Sequence, residues 1–172
     1  MTNFLKTHIY CYDDHRGFSE DIRKRFTDTA RYTVASYPTR EEFIDSIRKA
    51  KENKFCKIAI MGLHDSPEQI EMISHLTMEI KKIDPSTGLI LICPQDKIEL
   101  IRKTIIFNID AYIPKNSNSI LRIHNTVKKL ISEHSMGIFR KKMNLAIFVL
   151  IGFLLLVLGS VIFGLLKFPQ YF

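Results

Sequence analysis

The 172-residue chain carries 25 Lys and Arg against 18 Asp and Glu, a formal net charge of +7, with 46% hydrophobic residues and three cysteines. Setting aside Arg140, Lys141, Lys142 and Lys167 leaves an excess of only +3 over the first 139 residues, and no basic stripe is interleaved with aromatics, so a nucleic-acid partner is not expected. Cys11, Cys56 and Cys93 lie in separate apolar runs without CxxC spacing, which reads as small buried hydrophobes in a reducing compartment rather than disulfides or metal ligands.

In chain order, THIYCY (7–12) is short, β-branched and aromatic and stops at Asp13 and Asp14, as a strand running into a loop does. Phe18, Ile22 and Phe26 then recur every four residues and predict a helix over about 16–30. RYTVASY (31–37) is a second strand closed by Pro38. Thr39-Arg40-Glu41-Glu42 forms a capping box, with Phe43, Ile44 and Ile47 as the apolar face of the helix behind it. CKIAIMGL (56–63) is a long apolar run, expected of a strand covered on both faces of a parallel sheet.

Ser66 at the N-cap and Pro67 at the first helical position open the next helix, which Ile70, Ile73, Leu76, Met78 and Ile80 carry to Ile83. Asp84-Pro85-Ser86-Thr87-Gly88 breaks it, and LILIC (89–93) is another covered strand. A helix over 95–107, a short strand AYIPK (111–115) and a helix from about 117 to 134 complete the pattern, the last with Ile120, Ile123, Val127, Leu130 and Ile131 on one face and Gly137 as its cap. Strands alternating with helices through short turns specify an α/β fold: a five-stranded, doubly wound parallel sheet of flavodoxin-like type. Its site lies outside the carboxyl ends of the strands, where the order of strands switches.

From Leu145 to Leu166 no side chain is charged. A stretch of about 20 apolar residues crosses the hydrocarbon of a bilayer, and this one is longer and more uniformly apolar than a core helix needs. Arg140, Lys141 and Lys142 precede it, which by the positive-inside rule keeps the N-terminal part in the cytoplasm and sets these three residues at the headgroups. The N-terminal MTNFLKTHIYC lacks the basic flank and apolar core of a cleaved signal. The expected organisation is one α/β domain at 1–134, a basic juxtamembrane linker at 135–142, a transmembrane helix at 143–167 and a short non-cytoplasmic tail at 168–172. The expected location is a membrane, with the N-terminal part on its cytoplasmic face and membrane lipid as one partner. Gly152 and Gly159 one heptad apart, and Ser160 with Gly164, would let two such helices approach and form a homo-oligomer.

The element order and the strand-end residues resemble the receiver domain of bacterial two-component response regulators over about residues 5–134. Asp13 and Asp14 stand where that family keeps a metal-binding acidic pair. The stretch KKIDPSTGLILICP (81–94) resembles its helix, Asp-Pro turn and fourth strand, Asp110-Ala111-Tyr112 its approach to the fifth strand, and Lys115 the lysine that contacts the phosphoryl group. The chain departs from the family where the phosphoryl acceptor belongs: the aspartate at the end of the third strand is replaced by Gly62, or by Leu63 if Pro67 sets the register. Cys93 replaces the fourth-strand Ser/Thr, and Asn116 the proline after the lysine, with Pro114 in front instead.

Phosphoryl transfer to a carboxylate needs that carboxylate, a divalent ion and a cation. The resemblance therefore implies a pseudo-receiver: no enzyme, no required cofactor, and at Asp13 and Asp14 either weak Mg²⁺ binding or an ion pair in which Lys115 neutralises one of them. The alternative is a working response regulator phosphorylated on Asp65, with His64 beside it as a conceivable metal ligand. Cys93 is either a redox-sensitive thiol or an inert one. For an unidentified protein partner the candidate surfaces are the final helix and the segment 97–107, where Lys97 is followed by Ile98, Leu100, Ile101, Ile105, Ile106 and Phe107; that segment is either an exposed patch or a well-buried helix.

Overall fold

A computed structural model describes residues 6–12, 16–53, 55–63, 67–105 and 109–167. Five strands form one sheet: β1 (Thr7–Tyr12), β2 (Tyr32–Tyr37), β3 (Cys56–Gly62), β4 (Gly88–Cys93) and β5 (Ala111–Pro114). All pairs are parallel and the order is β2-β1-β3-β4-β5, so the chain runs outward from β1 to one edge, returns, and fills the other side. The helices between them are α1 (Arg16–Arg25), α2 (Arg40–Lys49), α3 (Pro67–Ile83) and α4 (Ile98–Thr104, entered through a 3₁₀ turn at Gln95–Lys97), and α5 (Ser119–Lys167) follows β5. This is the flavodoxin-like, receiver-type α/β fold expected above.

The strand alternation feeds two separate cores. Tyr10, Tyr12, Ala59, Met61, Leu89, Leu91 and Cys93 point to one face and meet Phe43, Ile44 and Ile47 of α2, Ile73, Leu76 and Ile80 of α3, and Ile101 of α4. Ile9, Cys11, Ile58, Ile60, Ile90 and Ile92 point to the other and meet Ile22, Phe26, Ile123 and Val127. Both faces being covered explains why β3 and β4 read as nearly unbroken apolar runs. Thr39 caps α2 by accepting from the Glu42 N–H at 3.4 Å, and Pro67 begins α3 as read; Ser66 lies outside the described residues.

Several boundaries differ from the expectation. α1 ends at Arg25, because Asp28 turns the chain: its backbone carbonyl accepts from Arg31 and Tyr32, and its carboxylate from Ala30 and Arg31. Phe26 still seals the core from beyond the helix end. The segment after β4 is a 3₁₀ turn followed by a seven-residue helix rather than one continuous helix over 95–107. Gly137 does not cap: the helical assignment continues through it to Lys167, and a Cβ there would meet nothing within 4 Å.

The chain divides into two compact units, Met1–Ser132 and Glu133–Phe172. The second holds most of α5; among the described residues one helix, Ser119–Gly159, is long and apolar enough to cross a membrane, with an apolar window of mean hydropathy 2.3 that is 0% buried. Within the first unit, Gly88 makes the sheet–helix approach of α5 close, because a Cβ on it would lie 3.0 Å from Leu130 Cδ1.

Candidate functional site

The carboxyl ends of β1, β3, β4 and β5 bring Tyr12, Gly62, Cys93 and Pro114 to one edge of the sheet. The register sets them closely: Tyr12 is opposite Met61, Gly62 opposite Ile92, and Cys93 opposite Pro114. Two further backbone bonds extend the ladder past the strands, with Leu63 N–H donating to Ile92 O at 2.8 Å and Lys115 N–H donating to Cys93 O at 2.9 Å. Gly62 therefore closes β3 and has no side-chain oxygen. Leu63 beyond it is 2% exposed and belongs to the core beneath α2, α3 and α4. Neither Gly62 nor Leu63, the two residues at the end of β3, carries a nucleophilic side chain.

Cys93 is fully buried in the same core. Burial pushes its thiol up to about 11 although Arg102 pulls the other way, so at neutral pH it is a protonated, apolar filler. Next to it, Tyr112 donates from its hydroxyl to Ile105 O at 3.1 Å and carries the Arg102 guanidinium 5.4 Å from its ring centroid. Burial, opposed by Arg102, raises the Tyr112 phenol above its ordinary value.

Asp13, Asp14, His64 and Asp65 lie outside the described residues, so the acidic pair, its partnership with Lys115 and the alternative acceptor are not placed. Lys115 itself is exposed at the end of β5 and takes part in no ion pair among the described residues. No carboxylate stands among the described strand-end side chains Tyr12, Gly62, Leu63, Cys93 and Lys115. Mg²⁺ requires hard oxygen donors, and these side chains do not supply them. No group of three or more His, Cys, Asp or Glu suited to a metal ion occurs among the described residues.

Asp110 has a clear structural task. Its N–H donates to Leu89 O at 2.9 Å and its Oδ2 accepts from Leu89 N–H at 2.7 Å, stitching the approach to β5 onto the start of β4. In the segment after β4, Ile101 and Ile105 are core residues and Ile98 packs against them, while Leu100 is 57% exposed. Ile106 and Phe107 lie outside the described residues.

The most consequential polar pair was not anticipated. Lys57, the lone charge inside the β3 run, is 4% exposed and bonds Asp84 Oδ2 at 2.6 Å and Lys51 O at 3.1 Å. The signal was present, because a lysine inside a covered strand must find a counter-charge and carbonyls. It lies at the amino end of β3, away from the strand-end site.

The fold is the five-stranded parallel one found in response regulator receiver domains. Neither a protein-family model nor a curated protein matches the chain, whereas solved structures do. A structure titled adenylate cyclase from Rhodopirellula baltica superimposes with a TM-score of 0.63 at 10% identity, over 81% of this chain and 97% of that one. A response regulator receiver domain protein from Methanospirillum hungatei gives 0.55 at 21% identity, over 77% and 98%. The response regulator TrrA from Thermotoga maritima, solved in complex with Mg²⁺ and BeF, gives 0.51 at 18% identity, over 73% and 99%. At these identities the likeness is one of fold.

Proposed function

We propose that this protein is a pseudo-receiver anchored in a bacterial inner membrane, which acts by contact with a protein partner and without phosphoryl transfer. The observation that carries this reading is the end of β3: Gly62 in register with Ile92, followed by the buried Leu63, leaves no oxygen to attack phosphorus. The buried, protonated Cys93 supports it, since it offers neither a hydroxyl to follow a phosphoryl group nor a reactive thiolate. The long apolar helix and the basic Arg140, Lys141 and Lys142 before its uncharged part support a permanent anchor with the receiver unit on the cytoplasmic side. Such a protein recruits a partner to the bilayer or serves as a small subunit of an envelope assembly.

The test is to incubate the full-length protein in detergent with acetyl phosphate and Mg²⁺ and to measure its mass. No acyl phosphate is expected. A stoichiometric adduct would overturn the reading, and its loss in Asp65→Asn would establish the alternative acceptor instead.

A further inference from the structure

A cleft of about 270 Å³ opens on the face of the sheet beside α2. It exists because α2 packs Phe43, Ile44 and Ile47 inward, while β2 presents the small Thr33 and Ala35 beneath the helix flank before the larger Tyr37. Cross-strand pairing sets large against small here, His8 opposite Thr33 and Tyr10 opposite Ala35, so the rings stand beside an unfilled step.

The lining has a consistent chemistry. Tyr10 lies between His8, with ring centroids 6.2 Å apart, and Tyr37, 6.3 Å away and stacked at 21°. Tyr10 is only 5% exposed, but its hydroxyl makes no hydrogen bond among the described residues and opens to solvent; the buried polar atom of the lining left without a partner is His8 Nε2. Burial, reinforced by Tyr37 and Asp84, pushes the Tyr10 phenol to about 12, so it remains a donor. Ser46, Lys49 and Asn53 line the side formed by α2 and the turn after it, Lys49 is exposed without an ion pair among the described residues, and no described carboxylate lines the cleft.

We propose that this cleft binds a small planar aromatic anion, its ring against Tyr10 and Tyr37, its negative group on Lys49, and an acceptor atom on the unpartnered Tyr10 hydroxyl. The volume falls just under the roughly 300–1,000 Å³ of pockets for drug-sized ligands, which limits the occupant to a single ring system. The site is independent of the strand-end edge and would operate whether or not phosphoryl transfer occurs there.

The test titrates 4-hydroxybenzoate into the full-length protein in detergent, followed by ligand-observed saturation-transfer NMR, with benzyl alcohol as the uncharged ring and acetate as the ringless anion. Saturable binding of 4-hydroxybenzoate is expected, with weaker binding of both controls. Lys49→Gln should weaken it about threefold, as expected for a partly solvated charge pair. Ala35→Leu, which fills the step from an accessible edge strand, should abolish it while the circular dichroism spectrum is unchanged. The proposal is overturned by the absence of saturation up to about 10 mM, a concentration that spans weak single-ring affinities. It is equally overturned if benzyl alcohol binds as well as 4-hydroxybenzoate, or if the signal survives Ala35→Leu and therefore arises from the micelle or another surface.

Discussion

The Lys57 ammonium lies 2.6 Å from Asp84 Oδ2, and the two side chains are only 4% and 10% exposed. The pair ties the amino end of β3 to the residue that follows α3, and Asp84 Oδ1 is held in turn by Ser86 N–H at 2.9 Å and Ser86 Oγ at 2.6 Å. Nearby, Lys81 donates to Thr87 O at 2.8 Å, so the Asp-Pro turn is fastened by two lysines from different elements.

Removing one partner of the Lys57–Asp84 pair leaves the other charge buried, which costs about 3–5 kcal/mol. Lys57→Met is therefore expected to lower stability by that amount in urea titrations. The double variant Lys57→Met/Asp84→Leu should regain most of the loss, because a buried pair replaced by apolar side chains is often close to neutral.

Acid should weaken the receiver unit in two stages. Burial disfavours protonated His8, with Lys6 and Lys57 adding repulsion, so its folded pKa lies below the ordinary 6.5. Stability is then lost as pH falls from about 6.5 toward that lower folded value, where the unfolded chain binds the proton more readily. Burial alone would raise Asp84, but hydrogen bonds from Lys57 and Ser86 outweigh it and hold the carboxyl below 3.8. Its stabilisation is fully present above the unfolded value and disappears as pH drops through the folded one. Thermal melts from pH 8 to 3 should show both stages, and His8→Phe, which keeps a ring for the 4.8 Å stack on Phe55, should reduce the first, the remainder coming from His124, whose pKa burial, Lys128 and Arg25 also lower.

All three thiols are within 3% of full burial, and burial pushes Cys56 and Cys93 to about 11. Ellman's reagent at pH 8 is expected to leave the native protein unlabelled and to modify three thiols after unfolding in urea. Rapid labelling of Cys93 in the native state would instead identify it as a redox-active group.

Gly88 admits α5 closely, with Leu130 Cδ1 at 3.0 Å from the place a Cβ would occupy. Gly88→Val should cost about 1–3 kcal/mol through overpacking, measured by urea titration. Adding Leu130→Ala should recover part of that loss; a purely additive double variant would show that the two residues do not compete for the same space.

A membrane anchor of the proposed kind predicts that the full-length protein sediments with membranes, resists carbonate extraction and dissolves in detergent. Arginine near the centre of a membrane helix costs about 2.5–3.5 kcal/mol per residue on insertion scales. Leu150→Arg/Leu155→Arg should therefore shift the protein to the soluble or degraded fraction.

Periodicity and punctuation made most of the fold legible in one dimension. Apolar runs of strand length alternating with four-residue spacings, and the Pro67 start and Asp-Pro break of α3, are local signals read by local rules. Boundaries failed where local signals compete with tertiary ones: Gly137 carries the usual mark of a helix end, but strong helix-formers on both sides carry the assignment across it. Among the described residues after β4, Ile101 and Ile105 lie in the core and Ile98 packs against it while Leu100 is exposed, since exposure depends on what covers a helix and not on its composition.

The sequence by itself determined the parallel α/β plan, the apolar segment at the carboxyl end and the lack of an acceptor oxygen at Gly62 or Leu63, because these depend only on residue type and order. Only the tertiary structure decided that Lys57 finds Asp84 across 27 positions, that Asp110 stitches β5 to Leu89, and that Thr33 and Ala35 leave a cleft beside Tyr10. Those are relations between distant side chains, and they come into being when the sheet's register brings their backbones together.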